Sequence, residues 1–190
     1  ALTLVTIAVM FMKRYLEPYE QTPKDLWEVM KKPNTYFSIR QSWVLIDNAR
    51  CLYLTVISSE EDSHSLLVHL GVYSPGTETY QQLGADMTVE RDGSGSRNIL
   101  KASLERYNMG ELRYEMVYYD GNGCFILKVK EAHMATMRKL VGECEIWATK
   151  EAAPGVNPSS PCEVRYQELG CRTEAKPYVS SCKDPTVLLH

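Results

Sequence analysis

The chain has 190 residues, and its 21 basic and 24 acidic residues give a formal net charge of -3. Nucleic acids and anionic membranes are bound through a basic face, so this balance argues against either as a partner. The 6 cysteines form no C-x-x-C pair, and the 4 histidines show no metal-ligand spacing, so we expect neither a metal nor a cofactor. An even number of cysteines is instead typical of an exported, disulfide-bonded protein.

An apolar segment opens the sequence. Ala1 to Met12 are apolar residues and threonines, and Lys13 and Arg14 follow. The segment is too short to span a bilayer and has the length of the hydrophobic part of a signal peptide. We therefore predict that residues 1–14 are a signal-peptide remnant, that residues 15–190 form one domain, and that the protein is secreted. The alternative is that the segment forms the first strand or helix of the mature fold.

Two short helices are predicted from their capping residues. Thr22-Pro23 supplies an N-cap and a proline at the first helical position, Asp25 adds an acid in the first turn, and Pro33 ends the helix. Further along, Ser160 to Glu163 has the pattern of a capping box, and Gly170 closes the helix that it opens.

Between these helices the sequence predicts strands, because short stretches rich in β-branched or aromatic residues alternate with turn residues. The strongest turn signal is Asp120-Gly121-Asn122-Gly123, and His133–Leu140 fits either a helical turn or a long loop. Eight strands with no helix between them favour an antiparallel up-and-down barrel, with room for one small ligand, over a sandwich. The predicted strands are Thr35–Trp43, Cys51–Ser58, Ser65–Tyr73, Tyr80–Val89, Asn98–Arg106, Glu111–Tyr119, Phe125–Lys130 and Cys144–Lys150.

The cysteines and their neighbours resemble the tick histamine-binding lipocalins. The signature of that family is Cys-Asp-aliphatic, then Glu-Leu-Trp or Glu-Leu-Tyr, then Cys. Here Cys124, Glu145-Ile146-Trp147 and Cys162 follow in that order. The likeness covers about residues 20–182, since it extends to Lys24-Asp25-Leu26-Trp27, Tyr119-Asp120 and Tyr178-Val179-Ser180-Ser181-Cys182.

The resemblance implies an all-β fold, namely an eight-stranded antiparallel lipocalin-type barrel with a short N-terminal helix and a C-terminal helix packed on its outside. The resemblance also implies the disulfides Cys51–Cys182 and Cys124–Cys162, which leaves Cys144 and Cys171 to pair with each other.

Glu145 is the first candidate for contact with a ligand. Adjacent residues of a strand face opposite ways, so Glu145 points into the barrel if Cys144 points outward to a flanking helix. An unpaired carboxylate is costly there, and the ammonium group of a ligand would pair with it. Two alternatives remain open. Glu145 could pair with an internal cation such as Arg113, or a different register could turn it to solvent.

Trp147 lies on the same strand face as Glu145, either as a cation–π wall for a ligand or as a core tryptophan. Trp43 and Asp47 stand where the family places an aromatic residue and an acid before the first barrel cysteine. We include both among the candidate ligand contacts.

Glu115 is a candidate if Val117 and Tyr119 face inward, because it would then share their phase. Phe125 stands in place of the acid of the family signature. This change adds apolar wall, and it weakens the case for a second amine site and for histamine in particular.

The resemblance implies a monomeric salivary lipocalin that sequesters a small host mediator, most simply a biogenic amine such as histamine or serotonin, and so serves immune evasion. The alternative cargo is a sterol, fatty acid or leukotriene, which Phe125, Leu127 and Val117 favour. In a third hypothesis the barrel is a scaffold for a protein-binding immunomodulator. An enzyme is the weakest hypothesis, because the sequence has no Gly-x-Ser-x-Gly elbow, P-loop or metal motif.

Overall fold

A computed structural model of the chain describes residues 25–44, 48–74, 79–104, 110–183 and 185. The predicted signal segment and the candidate Asp47 lie outside the described residues. The other candidate site residues lie within them.

The strands form a closed antiparallel barrel in which each strand pairs with its neighbours in sequence and the last pairs with the first. The predicted up-and-down barrel is therefore confirmed, and the sandwich is wrong. The strands are β1 (Thr35–Gln41), β2 (Arg50–Glu60), β3 (Ser65–Ser74), β4 (Thr79–Glu90), β5 (Ile99–Ser103), β6 (Glu111–Tyr119), β7 (Cys124–Ala132) and β8 (Cys144–Thr149). A 3-10 helix at Ala135–Leu140 resolves the ambiguous segment between β7 and β8.

One end of the barrel is closed by helix α1 (Leu26–Met30). Its Leu26, Trp27 and Met30 are buried and belong to the core inside the barrel. Asp25 is the N-cap, because its side chain accepts a hydrogen bond from Trp27 N at 2.9 Å. The helix thus begins later than predicted, and its cap is Asp25 and not Thr22.

Helix α2 (Pro161–Glu168) lies on the outside of the barrel, against β6, β7 and β8. The helix is where the sequence placed it, but the capping box does not form. Ser160 Oγ donates to the carbonyl of Asn157 at 2.8 Å, and Glu163 instead accepts from Arg40 Nε at 3.2 Å. Glu163 therefore joins the helix to the barrel wall.

Three disulfides fasten the segment around α2 to the barrel, and their pairing is the one that the resemblance implied. Two of them reach β7 and β8, and the third reaches the start of β2. Among the helices in the described ranges, none has the length and apolar character needed to cross a membrane. The bonded pairs are Cys51–Cys182, Cys124–Cys162 and Cys144–Cys171.

Candidate ligand-binding site

Two cavities lie inside the barrel and share part of their walls. The larger, here called the outer cavity, has a volume of about 310 Å³ and lies towards the end opposite α1. The smaller, here called the inner cavity, has a volume of about 70 Å³ and reaches Met30 of α1. The residues that line both cavities are Leu70, Leu104, Tyr114, Glu145 and Trp147.

The alternation of β8 places Glu145 between the two cavities. Cys144 faces outward, where it bonds to Cys171 beside α2. Ile146 also faces outward, in the cluster of buried residues between the barrel wall and α2, here called the outer cluster. Glu145 and Trp147 therefore face inward, and Glu145 is 3% exposed. The register pairs Glu145 with Gln41 of β1 on one side and with Leu127 of β7 on the other.

The carboxyl of Glu145 is buried with neutral hydrogen-bond donors around it. Trp147 Nε1 donates to Glu145 Oε2 at 2.6 Å. Burial raises the pKa of Glu145 from 4.5 to about 7, because it disfavours the charged form, while the side chains of Trp147, Trp43 and Gln41 lower this pKa in part. Near neutral pH the ionised and protonated forms of Glu145 are therefore both populated, although the ionised form is unfavourable in the empty cavity.

The alternative partner for Glu145, Arg113, is on the outer face of the barrel. Its guanidinium pairs with Glu90 and, at 3.2 Å, with Glu131. Among the described residues no lysine or arginine lines either cavity. The structure thus brings no cation of the described chain to Glu145.

Trp43 lines the outer cavity and is 8% exposed. The Trp43 side chain lowers the pKa of Glu145, while its buried Nε1 has no hydrogen-bond partner among the described residues. A buried donor without an acceptor costs free energy. A ligand that offers an acceptor here would satisfy this donor.

Tyr114 is a site residue that the sequence did not indicate. It lines both cavities, and burial together with the nearby charge of Glu145 raises the pKa of its hydroxyl well above the usual value. The phenol therefore stays protonated and can act as a neutral hydrogen-bond donor beside the carboxylate. The signal for it was the alternation of Leu112, Tyr114 and Met116, which are all buried in the inner core.

The prediction that Glu115 faces the cavity is wrong. Glu115 lies on the outer face, where its carboxylate is 3.4 Å from Lys130 Nζ. The register of β6 and β7 shifts between Met116 and Tyr118, and this bulge breaks the alternation from which the inward phase was inferred. Val117 accordingly packs in the outer cluster while Tyr119 packs against the inner one.

Phe125 lies on the wall of the inner cavity, as the sequence suggested. Its ring packs edge-on against Tyr36, with ring centroids 5.6 Å apart. The position that carries an acid in the family signature is thus apolar surface here. Within the described residues, no group of three or more His, Cys, Asp or Glu side chains could hold a metal ion.

The family model described as tick histamine binding protein matches residues 16–184. The chain belongs to this family. Its sequence matches none of the curated proteins. In this member of the tick histamine-binding family, the signature residues Cys124, Glu145, Trp147 and Cys162 are the ones that anchor α2 and build the site.

Among the solved structures that are similar to this histamine-binding family member are two with bound ligands. One is the AM182 serotonin complex, at TM-score 0.62 and 12% identity, covering 88% of this chain and 97% of that chain. The other is Japanin from Rhipicephalus appendiculatus bound to cholesterol, at TM-score 0.52 and 14% identity, covering 76% of this chain and 91% of that chain. At these identities the likeness establishes the lipocalin fold.

Proposed function

We propose that the protein is a secreted lipocalin that sequesters a biogenic amine, such as histamine or serotonin, with the ammonium group at Glu145. The observation that carries this proposal is a carboxyl that is 3% exposed, lies inside a ligand-sized barrel, and has no cationic partner among the described residues. Burial of a carboxylate without a counter-charge is unfavourable, so a cationic ligand is favoured because it supplies the positive charge that Glu145 lacks in the empty barrel.

The aromatic side chains around Glu145 support an amine more specifically than a metal ion or a basic peptide. Trp43, Tyr114 and Trp147 line the outer cavity with it. A charge-assisted hydrogen bond contributes about 1.5–3 kcal/mol, and each aromatic face near a cation adds about 0.5–2 kcal/mol. These contributions bring a small amine towards the roughly 8 kcal/mol that micromolar affinity requires.

An apolar ligand is the second candidate, and Phe125 in the inner wall favours it. Japanin, a structural neighbour, has cholesterol bound. The outer cavity of about 310 Å³ lies at the lower end of the roughly 300–1,000 Å³ usual for ligand sites. Its size and the buried acid at its floor both suit a small amine better than a sterol.

Calorimetric titration of histamine, serotonin, cholesterol and a leukotriene into wild type and Glu145→Gln tests the proposal. Glutamine keeps the shape and removes the charge, so amine affinity should fall by about 10- to 150-fold. Glu115→Gln is the matched control, because Glu115 lies on the outer face and pairs with Lys130, and it should leave affinity unchanged. Binding of cholesterol or the leukotriene, but of no amine below millimolar concentration, would favour the apolar cargo.

A further inference from the structure

We infer that the inner cavity is a subsite for N-alkyl groups, so that an arylalkylamine with a short alkyl substituent on its nitrogen binds more tightly than the parent primary amine. This inference rests on the proposed binding of an ammonium group at Glu145. It extends the expected ligands to secondary and tertiary amines, which the protein should prefer because their N-alkyl groups fill the inner cavity.

The volumes of the two cavities determine which of them holds the aromatic ring of the ligand and which one its nitrogen faces. A dry protein cavity of about 150 Å³ accommodates a benzene ring. The inner cavity, at about 70 Å³, is too small for an aromatic ring, whereas the outer cavity, at about 310 Å³, is large enough. Glu145 lines both, so an amine bound to it holds its ring in the outer cavity and turns the far side of its nitrogen towards the inner one.

Beyond its shared wall the inner cavity is lined by apolar side chains and by Tyr36, whose hydroxyl already donates to the carbonyl of Val29 at 2.8 Å. Its depth is formed by buried side chains that are each at most 4% exposed, and Glu145 is the one charged residue among the described residues lining it. Such a space gains dispersion contacts when an alkyl group fills it. The side chains that form this depth include Met30, Leu54, Met87, Leu100, Ala102 and Leu127.

The number of N–H groups left on the nitrogen and the volume of the inner cavity limit how many alkyl carbons improve binding. Secondary and tertiary amines remain protonated at neutral pH and keep at least one N–H to donate to Glu145. A quaternary ammonium has none and loses the hydrogen bond, although it keeps the charge. Each buried methylene should improve affinity by about fourfold until the cavity is full. At about 70 Å³ the cavity should be full after roughly two or three carbons.

The test is a calorimetric series of tryptamine and its N-methyl, N-ethyl and N-propyl derivatives, with the quaternary N,N,N-trimethyl derivative for comparison. With wild type, affinity should rise by about 15-fold from tryptamine to N-ethyltryptamine and then level off. Ala102→Leu fills the inner cavity from a position that does not line the outer one. It should abolish the gain and keep the affinity for tryptamine.

A larger residue in a packed wall can strain the fold, so Leu100→Ala provides the opposite change. It enlarges the inner cavity and should move the best substituent to a longer chain, with thermal melting used to confirm that each variant is folded. If tryptamine binds but N-alkylation brings no gain, or if the gain persists in folded Ala102→Leu, the inference is overturned and the amine function stands. If no member of the series binds, the inference is overturned, and the titrations of histamine and serotonin decide separately whether the amine function stands.

Discussion

Trp147 Nε1 donates a hydrogen bond of 2.6 Å to Glu145 Oε2, two residues back along β8. The two side chains share the inner face of the strand, so the tryptophan can both orient the carboxylate and form a wall of the cavity. Trp43 stands near the same carboxylate, but its own Nε1 has no acceptor in the described part of the chain. The two indoles therefore differ in energetic role although both line the outer cavity.

This difference predicts unequal effects when either indole is replaced by phenylalanine. Trp147→Phe removes a donor that the buried carboxyl uses, so the free energy of unfolding should fall by about 1–3 kcal/mol more than in Trp43→Phe. Trp43→Phe loses a similar volume and removes an indole that lowers the pKa of Glu145 less than Trp147 does and whose Nε1 has no hydrogen-bond partner among the described residues, so it is the matched control. Urea denaturation of both variants at pH 8 measures the difference, and equal losses would show that the hydrogen bond contributes nothing.

The raised pKa of Glu145 predicts that the empty protein becomes less stable as pH increases. Its pKa is about 7 in the fold against an ordinary value of 4.5, so between these values the folded state binds more protons than the unfolded state. The free energy of unfolding should therefore fall through this range, by about 3 kcal/mol in total. Denaturation at pH 5 and pH 8 should show this fall in wild type but not in Glu145→Gln. A parallel pH dependence in the two proteins would assign the effect to other groups.

The parts of the site that follow from strand alternation could be predicted from sequence. Glu145 was expected inside the barrel if Cys144 faced outward, and the Cys144–Cys171 disulfide meets that condition. The same reasoning failed for Glu115, because its phase was taken from Val117 and Tyr119, and the bulge between Met116 and Tyr118 puts those two residues on different faces. Tyr114 was missed because the inward phase of β6 was taken from Tyr119, beyond the bulge, and not from the alternation of Leu112, Tyr114 and Met116 before it.

Features that depend on long-range packing were beyond the sequence. The pattern around Ser160 predicted a capping box, yet the carboxylate of Glu163 accepts a hydrogen bond from Arg40, which is 123 positions away in the chain. Similarly, only the assembled barrel shows that the Trp43 side chain lowers the pKa of Glu145 while its Nε1 has no hydrogen-bond partner among the described residues. Local propensity gave the elements and their order, and tertiary contacts decided which polar groups are satisfied.

The apolar segment at residues 1–12 gives a prediction about processing. If it is the hydrophobic part of a signal peptide, protein secreted from a eukaryotic host should begin after residue 14. N-terminal sequencing of the secreted protein measures this directly. A mature chain that retains Ala1 would instead assign the segment to the fold.

The same carboxyl that weakens the empty protein at high pH should make amine binding depend on pH in the opposite direction. An ammonium group pairs with the ionised form of Glu145, so below its pKa of about 7 the site must release a proton before it binds. Affinity for histamine or serotonin should then fall by up to about tenfold for each pH unit below 7, and level off above it. Titrations at pH 5.5, 6.5 and 7.5, in buffers of different ionisation enthalpy, would measure both the affinity and the proton released. Histamine's imidazole also titrates in this range, so serotonin is the cleaner probe. Glu145→Gln should bind serotonin weakly and with no pH dependence, and a wild-type affinity that is constant from pH 5.5 to 7.5 would place the amine away from Glu145.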